Sequence, residues 1–96
     1  MKIEFADPHL ALIRTAQAHK LGLPIGVIKA AQKKLLLIEA ASTELTLRNW
    51  KSLEYKKLEG SEERQIRLND QYRMRFKLND ETTPPTVIVT FIGDPH

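Results

Sequence analysis

Between Arg64 and Leu78 the chain reads RQIRLNDQYRMRFKL, with apolar and polar residues alternating from Gln65 to Leu68 and again from Tyr72, on either side of a polar trio. Ile66 and Leu68 alternate with Gln65 and Arg67, Asn69, Asp70 and Gln71 form the break, and Met74, Phe76 and Leu78 share one side of the second run. A two-residue period predicts a β-hairpin. Since successive strand side chains point to opposite faces, Arg73, Arg75 and Lys77 fall together on the face that Met74 and Phe76 avoid. The pattern predicts a two-stranded ribbon with an apolar back and a cationic front.

Upstream, the period changes. Lys2 to Phe5 places Ile3 and Phe5 on one side, a short strand that stops at Asp7-Pro8, which is a good helix start. Leu10, Ile13 and Ala16 or Gln17 then predict a helix closed by Gly22. A second helix is predicted from Pro24 to Ala41, with Ile28, Ala31, Leu35 and Ile38 as its buried stripe and Lys29, Gln32, Lys33 and Glu39 outside. Ser42 and Thr43 cap a third helical turn to Arg48, and Trp50 and Leu53 are expected to anchor the following crossing to the core. Tyr55 to Leu58 reads as a strand leading to the turn at Gly60. After a loop from Asn79 to Pro85, Val87, Val89 and Phe91 alternate with Ile88, Thr90 and Ile92 in a last, buried strand.

The order strand, helix, helix, strands predicts one α+β domain over residues 1–96, with two to three helices on one face of an antiparallel sheet and the other face open. Length agrees, since 96 residues support a single core. There is no cysteine, so the domain relies on that core, and no apolar run approaches the roughly 20 residues of a membrane span. A cytoplasmic protein with no membrane association is expected.

Net charge is only +3, but it is unevenly placed. Residues 51–78 carry eight Lys or Arg against five acids, whereas residues 79–96 carry none against three. Two readings of the cationic ribbon are open: a solvated face that discourages edge pairing, or a surface for a polyanion such as RNA. Lys29 and Lys33 read as a solvated helix face.

The usual catalytic constellations are absent. His9, His19 and His96 lack zinc-ligand spacing, and there is no Gly-rich phosphate loop, nucleophile elbow or metalloprotease motif. What remains suits one reaction that needs no cofactor, no metal and no protein nucleophile: cleavage of RNA by its own 2′-hydroxyl. A base takes that proton, cations stabilise the phosphate, and an acid protonates the leaving 5′-oxygen. Lys56, Lys57, Arg67 and Arg73 on adjacent strands are the candidate cations, and a lysine serves as base only if its pKa is depressed.

The segments LRNWKSLEYKKLEG and RQIRLNDQYRMRF and the ending VIVTFIGDPH, with the opening IEFADPHLA, resemble the HigB branch of the RelE/HigB bacterial toxins. IRLNDQYRMRF carries the strongest likeness. The resemblance implies a microbial-RNase-like fold and a toxin of a type II toxin-antitoxin system, a ribosome-dependent mRNA endonuclease that inhibits translation. Implied partners are a cognate HigA-like helix-turn-helix antitoxin, the ribosome and its mRNA, and operator DNA only through the antitoxin complex. By the same likeness Arg73 matches an arginine that contacts the scissile phosphate, Arg67 a basic position on the preceding strand, Lys56 the place of a catalytic histidine, and Asp94 and His96 the acid and histidine of the ending. Lys57, Arg64, Arg75 and Lys77 complete the expected RNA-binding set. The chain departs from the family pattern at Pro95, where a tyrosine is usual, and at Glu59, where a lysine is usual. Those departures keep open a weakened or inactive homologue that only binds its antitoxin and operator complex. A ParE-like topoisomerase poison and a generic RNA-binding domain are further alternatives.

Overall fold

A computed structural model describes residues 1–96. Five strands form one sheet: β1 (Ile3–Phe5), β2 (Lys56–Lys57), β3 (Arg64–Arg67), β4 (Arg73–Asn79) and β5 (Thr86–Gly93), in the spatial order β1-β5-β4-β3-β2. β2 to β5 are antiparallel neighbours, but β1 pairs in parallel with β5, Ile3 opposite Val87 and Phe5 opposite Val89. The sheet is therefore mixed rather than antiparallel. The whole helical segment lies between β1 and the rest, which makes a parallel pairing reachable.

Two helices follow the expected pattern. α1 (Ile25–Ala40) opens at Pro24 and buries Val27, Ile28, Ala31, Leu35 and Ile38, the predicted stripe plus one valine. α2 (Glu44–Arg48) is capped by the Thr43 hydroxyl, which accepts from the Thr46 backbone N–H at 3.3 Å. The segment expected as a first helix is instead two short 3-10 turns, Leu10–Arg14 and Ala18–Leu21. Thr15 separates them. Its backbone is extended, and its hydroxyl donates to the Leu12 carbonyl while accepting from the Gln17 N–H, so local bonds displace the helical ones. Gly22 closes the segment in the left-handed conformation, as predicted.

α1 and the sheet share one apolar cluster in which Ile13, Leu35, Ile38, Leu47, Leu53, Ile66, Met74, Phe76, Val87 and Val89 are fully buried. Leu53 anchors the crossing after α2, but Trp50 does not: it is 37% exposed and lies outside the apolar cluster. No helix is long and apolar enough to cross a membrane.

One irregularity in β5 matters for everything on the open face. Arg75 pairs with Phe91 and Phe76 with Val89, so Thr90 is an extra residue opposite no partner. This β-bulge shifts the parity of the strand. Val87 and Val89 face the core before it, Ile92 faces the core after it, and Phe91 emerges on the open face with Arg75. Phe91 had been expected beside Val87 and Val89; the bulge puts it on the other side.

Candidate functional site

The strand register writes two rows across the open face. Arg67 lies opposite Arg73, which lies opposite Gly93; one step along, Lys56, Gln65, Arg75 and Phe91 follow one another across four strands. Between the rows Glu54, Lys56, Gln65, Arg67 and Arg73 line a cavity of about 130 Å³ with no apolar wall. Three cations face one carboxylate there, which leaves the cavity electropositive.

Each arginine is held differently. Arg67 Nε lies 3.3 Å from a Glu54 carboxylate oxygen, and its guanidinium also donates to Asp70. Glu54 reaches this place from a left-handed backbone at φ 47°, unusual for a residue with a side chain. Arg73 has no carboxylate partner; it donates to the carbonyls of Asn69 and Tyr72, the latter at 3.0 Å, which ties it to the hairpin turn. Two cations directly opposite on paired strands repel. Glu54 and Asp70 on Arg67 offset that repulsion, and a phosphate between the two guanidinium groups would do so better.

A fourth cation arrives from α1. The Lys34 ammonium donates to the Arg67 carbonyl, and its pKa is lowered by burial first and then by the charges of Arg67 and Arg73, with Glu54 acting against them. No local pattern around Lys34 connects it to a residue more than thirty positions away, and sequence reasoning passed over it.

The expected site residues do not all gather. Lys56, Arg67 and Arg73 line the cavity, and Arg75 and Lys77 share its face, Lys77 exposed at the far end of β4. Arg64 does not. It lies opposite Phe76 on the core side of the sheet, its side chain only 12% exposed, with Nε 3.2 Å from Glu44. The alternation that puts Ile66 inward puts Arg64 inward too. There it belongs to a network in which Tyr55 donates to Glu44. Burial, then Glu44, pushes the Tyr55 hydroxyl up to about 12; Glu44 is itself held below the usual carboxylate range by hydrogen bonds from Tyr55 and Arg64, against the opposing effect of burial. Lys57 also points away from Lys56, opposite Arg64 and 3.7 Å from Glu62.

His96 is exposed beside the other end of the hairpin. Its Nδ1 lies 3.0 Å from Asp94 Oδ1, and Asp94 Oδ2 accepts from the Gln71 side chain in the turn at 2.8 Å. Those bonds, Gln71 first and then the His96 backbone and ring, hold the Asp94 carboxyl down at about 2. With Nδ1 donating to Asp94, Nε2 is left free to exchange a proton. No cluster of three His, Cys, Asp or Glu side chains is placed to hold a metal ion.

The YoeB/ParE toxin from Agrobacterium tumefaciens superposes over 100% of both chains with a TM-score of 0.57, at 10% sequence identity. The chain shares the fold of that protein. No family model and no curated protein matches the sequence. The shared fold extends over the whole sheet and its helices, while the HigB branch in particular has no counterpart among these matches.

Proposed function

We propose that the protein is the toxin of a type II toxin-antitoxin pair and cleaves mRNA on the ribosome without a metal or cofactor. The observation that carries this reading is the meeting of Lys56, Arg67 and Arg73 around one polar cavity on an open sheet face, with His96 oriented by Asp94 at the neighbouring turn. Arg67 and Arg73 hold the non-bridging oxygens of the scissile phosphate, where charge grows as the 2′-oxygen attacks. The 2′-hydroxyl proton goes to a lysine at this site, Lys56 on the cavity wall or Lys34, whose pKa burial and the neighbouring arginines lower; Lys57, on the opposite face, is not available for it. His96, protonated, gives its proton to the leaving 5′-oxygen, so that the P–O5′ bond breaks as a 2′,3′-cyclic phosphate forms. Pro95 supplies no hydroxyl, and the acid step falls to His96 alone. The partners in this reading are the ribosome with its mRNA, and a HigA-like antitoxin through which operator DNA is reached.

Purified protein added to programmed, translating ribosomes tests it, with free RNA as control and Arg73→Ala beside the wild type. Cuts on ribosomes that fall about 10² to 10³-fold in the mutant are expected, the loss typical of one charge-stabilising donor. Intact mRNA with a folded wild type would refute the nuclease.

A second reading, a toxin homologue that binds its antitoxin without cutting, is favoured by one observation: Arg67 is already occupied by Glu54 and Asp70. Antitoxin binding that persists in a protein without ribosomal cleavage would select it. DNA damage in cells with intact mRNA would select a ParE-like topoisomerase poison.

A further inference from the structure

We propose that Arg75, held over the Phe91 ring, is a stacking platform for one nucleobase of the strand whose phosphate sits between Arg67 and Arg73. The inference rests on the RNA-binding reading above and adds to it where a base is read.

The bulge at Thr90 brings Phe91 to the open face, half-buried rather than in the core. Gly93, two residues on, makes room for it: a Cβ there would lie 3.2 Å from the tip of the Phe91 ring, inside normal contact. Over the ring lies the Arg75 guanidinium, 5.2 Å from the ring centroid. Gln65, itself buried, accepts from Arg75 Nε at 3.0 Å and fixes the direction of that plane.

Arg75 differs in its charge balance from most arginines of the chain. Arg14, Arg48, Arg64 and Arg67 each have a carboxylate within 4 Å, whereas Arg73 and Arg75 have none. The Arg75 guanidinium is in contact with Phe91 and partly open to solvent, and with no carboxylate on it, it is available to a second partner. A guanidinium plane backed by an aromatic ring is a surface on which a nucleobase stacks, whatever the base.

Position selects a base rather than a peptide group or a lipid. Arg75 follows Arg73 by two residues, about 6.8 Å along the strand, and its tether Gln65 lines the phosphate cavity itself. A nucleotide with its phosphate in that cavity reaches the platform with its own base or its neighbour's.

The test is fluorescence anisotropy of the full chain with short single-stranded RNAs at low salt, each carrying one abasic site at a successive position. Wild type is compared with Arg75→Lys, which keeps the charge and loses the plane, and with Arg73→Ala. The wild type is expected to lose about tenfold in affinity when one particular base is missing, the scale of a stacked base. Arg75→Lys should bind intact RNA about as weakly and ignore the abasic position. A 2-aminopurine at that position should be quenched on binding to wild type and not to Arg75→Lys. If abasic sites change nothing in the wild type while Arg73→Ala still weakens binding, the platform is wrong and the phosphate site stands. If no oligonucleotide binds, both fail. Matching thermal unfolding of the two variants and wild type excludes misfolding as the source of any loss.

Discussion

Glu54 occupies the position on Arg67 that an incoming phosphate would contest, and replacing it with glutamine isolates that competition. The ion pair is open to water, its side chains 38% and 58% exposed, so its loss should change stability by less than about 1 kcal/mol. Binding is another matter. With Glu54 3.3 Å from Arg67 Nε, a phosphate on the far side of the guanidinium would sit roughly 6.5 Å from the carboxylate. At that separation two unit charges repel by about 0.6 kcal/mol in a water-like dielectric of ~80, and by about 2.5 at a protein-surface value of ~20. The open cavity lies toward the first figure, so Glu54→Gln should tighten RNA binding by about threefold to tenfold. Anisotropy with a labelled oligonucleotide reads this directly. Two controls tie the gain to its cause: it should shrink as salt rises through physiological strength, where screening acts over ~8 Å, and it should be smaller in an Arg67→Ala background, where no guanidinium holds the phosphate beside residue 54. Affinity that is unchanged or weaker in Glu54→Gln, or a gain that does not shrink with salt, would refute the competition.

Other consequences follow from particular contacts. Phe76 is fully buried on β4, and Phe76→Ala should cost about 3–5 kcal/mol, measurable as a lowered urea midpoint with cooperativity retained. Asp94 has its pKa lowered to about 2, so its contribution to stability is present above the ordinary carboxylate pKa and is lost as pH falls through 3.8 toward 2. A carboxyl ¹³C titration should show that midpoint, with the Gln71 side-chain amide moving in step; an ordinary Asp titration would break the link between turn and tail. Tyr55 has its hydroxyl raised to about 12, so its share of stability is complete below pH 10 and fades between 10 and 12. Phenolate absorbance should show that late titration in wild type and an earlier one in Glu44→Gln.

Much of the fold was legible because its signals are local. The hairpin showed in the alternation around Asn69-Asp70-Gln71, α1 in the spacing of Ile28, Ala31, Leu35 and Ile38, and α2 in its Thr43 cap. What escaped was set by contacts distant in sequence or by a single backbone irregularity. The parallel seat of β1 depends on β5, more than eighty residues away. Thr15 carries apolar neighbours at helical spacing, yet its hydroxyl bonds divide the helix. Arg64 was misplaced by counting charge rather than parity, since the same alternation that buried Ile66 assigned it to the core face. Lys34 and Glu54 entered the site only through tertiary geometry, one from a helix and one from a left-handed turn.

The bulge in β5 has an evolutionary side. Because Thr90 absorbs the mismatch, Val87 and Val89 keep their pairing with β1 whatever happens beyond it. Removing that one residue would leave Val89 facing in, Phe91 out beside Arg75 and Ile92 in, the faces they already have, because the bulged residue has no partner on β4. A single-codon deletion at Thr90 is therefore silent for the register, whereas a slip of one position at a paired residue would exchange the faces of the strand. The aromatic side chain on the outer surface is thus tied to its pairing with Arg75 and not to the length of the strand.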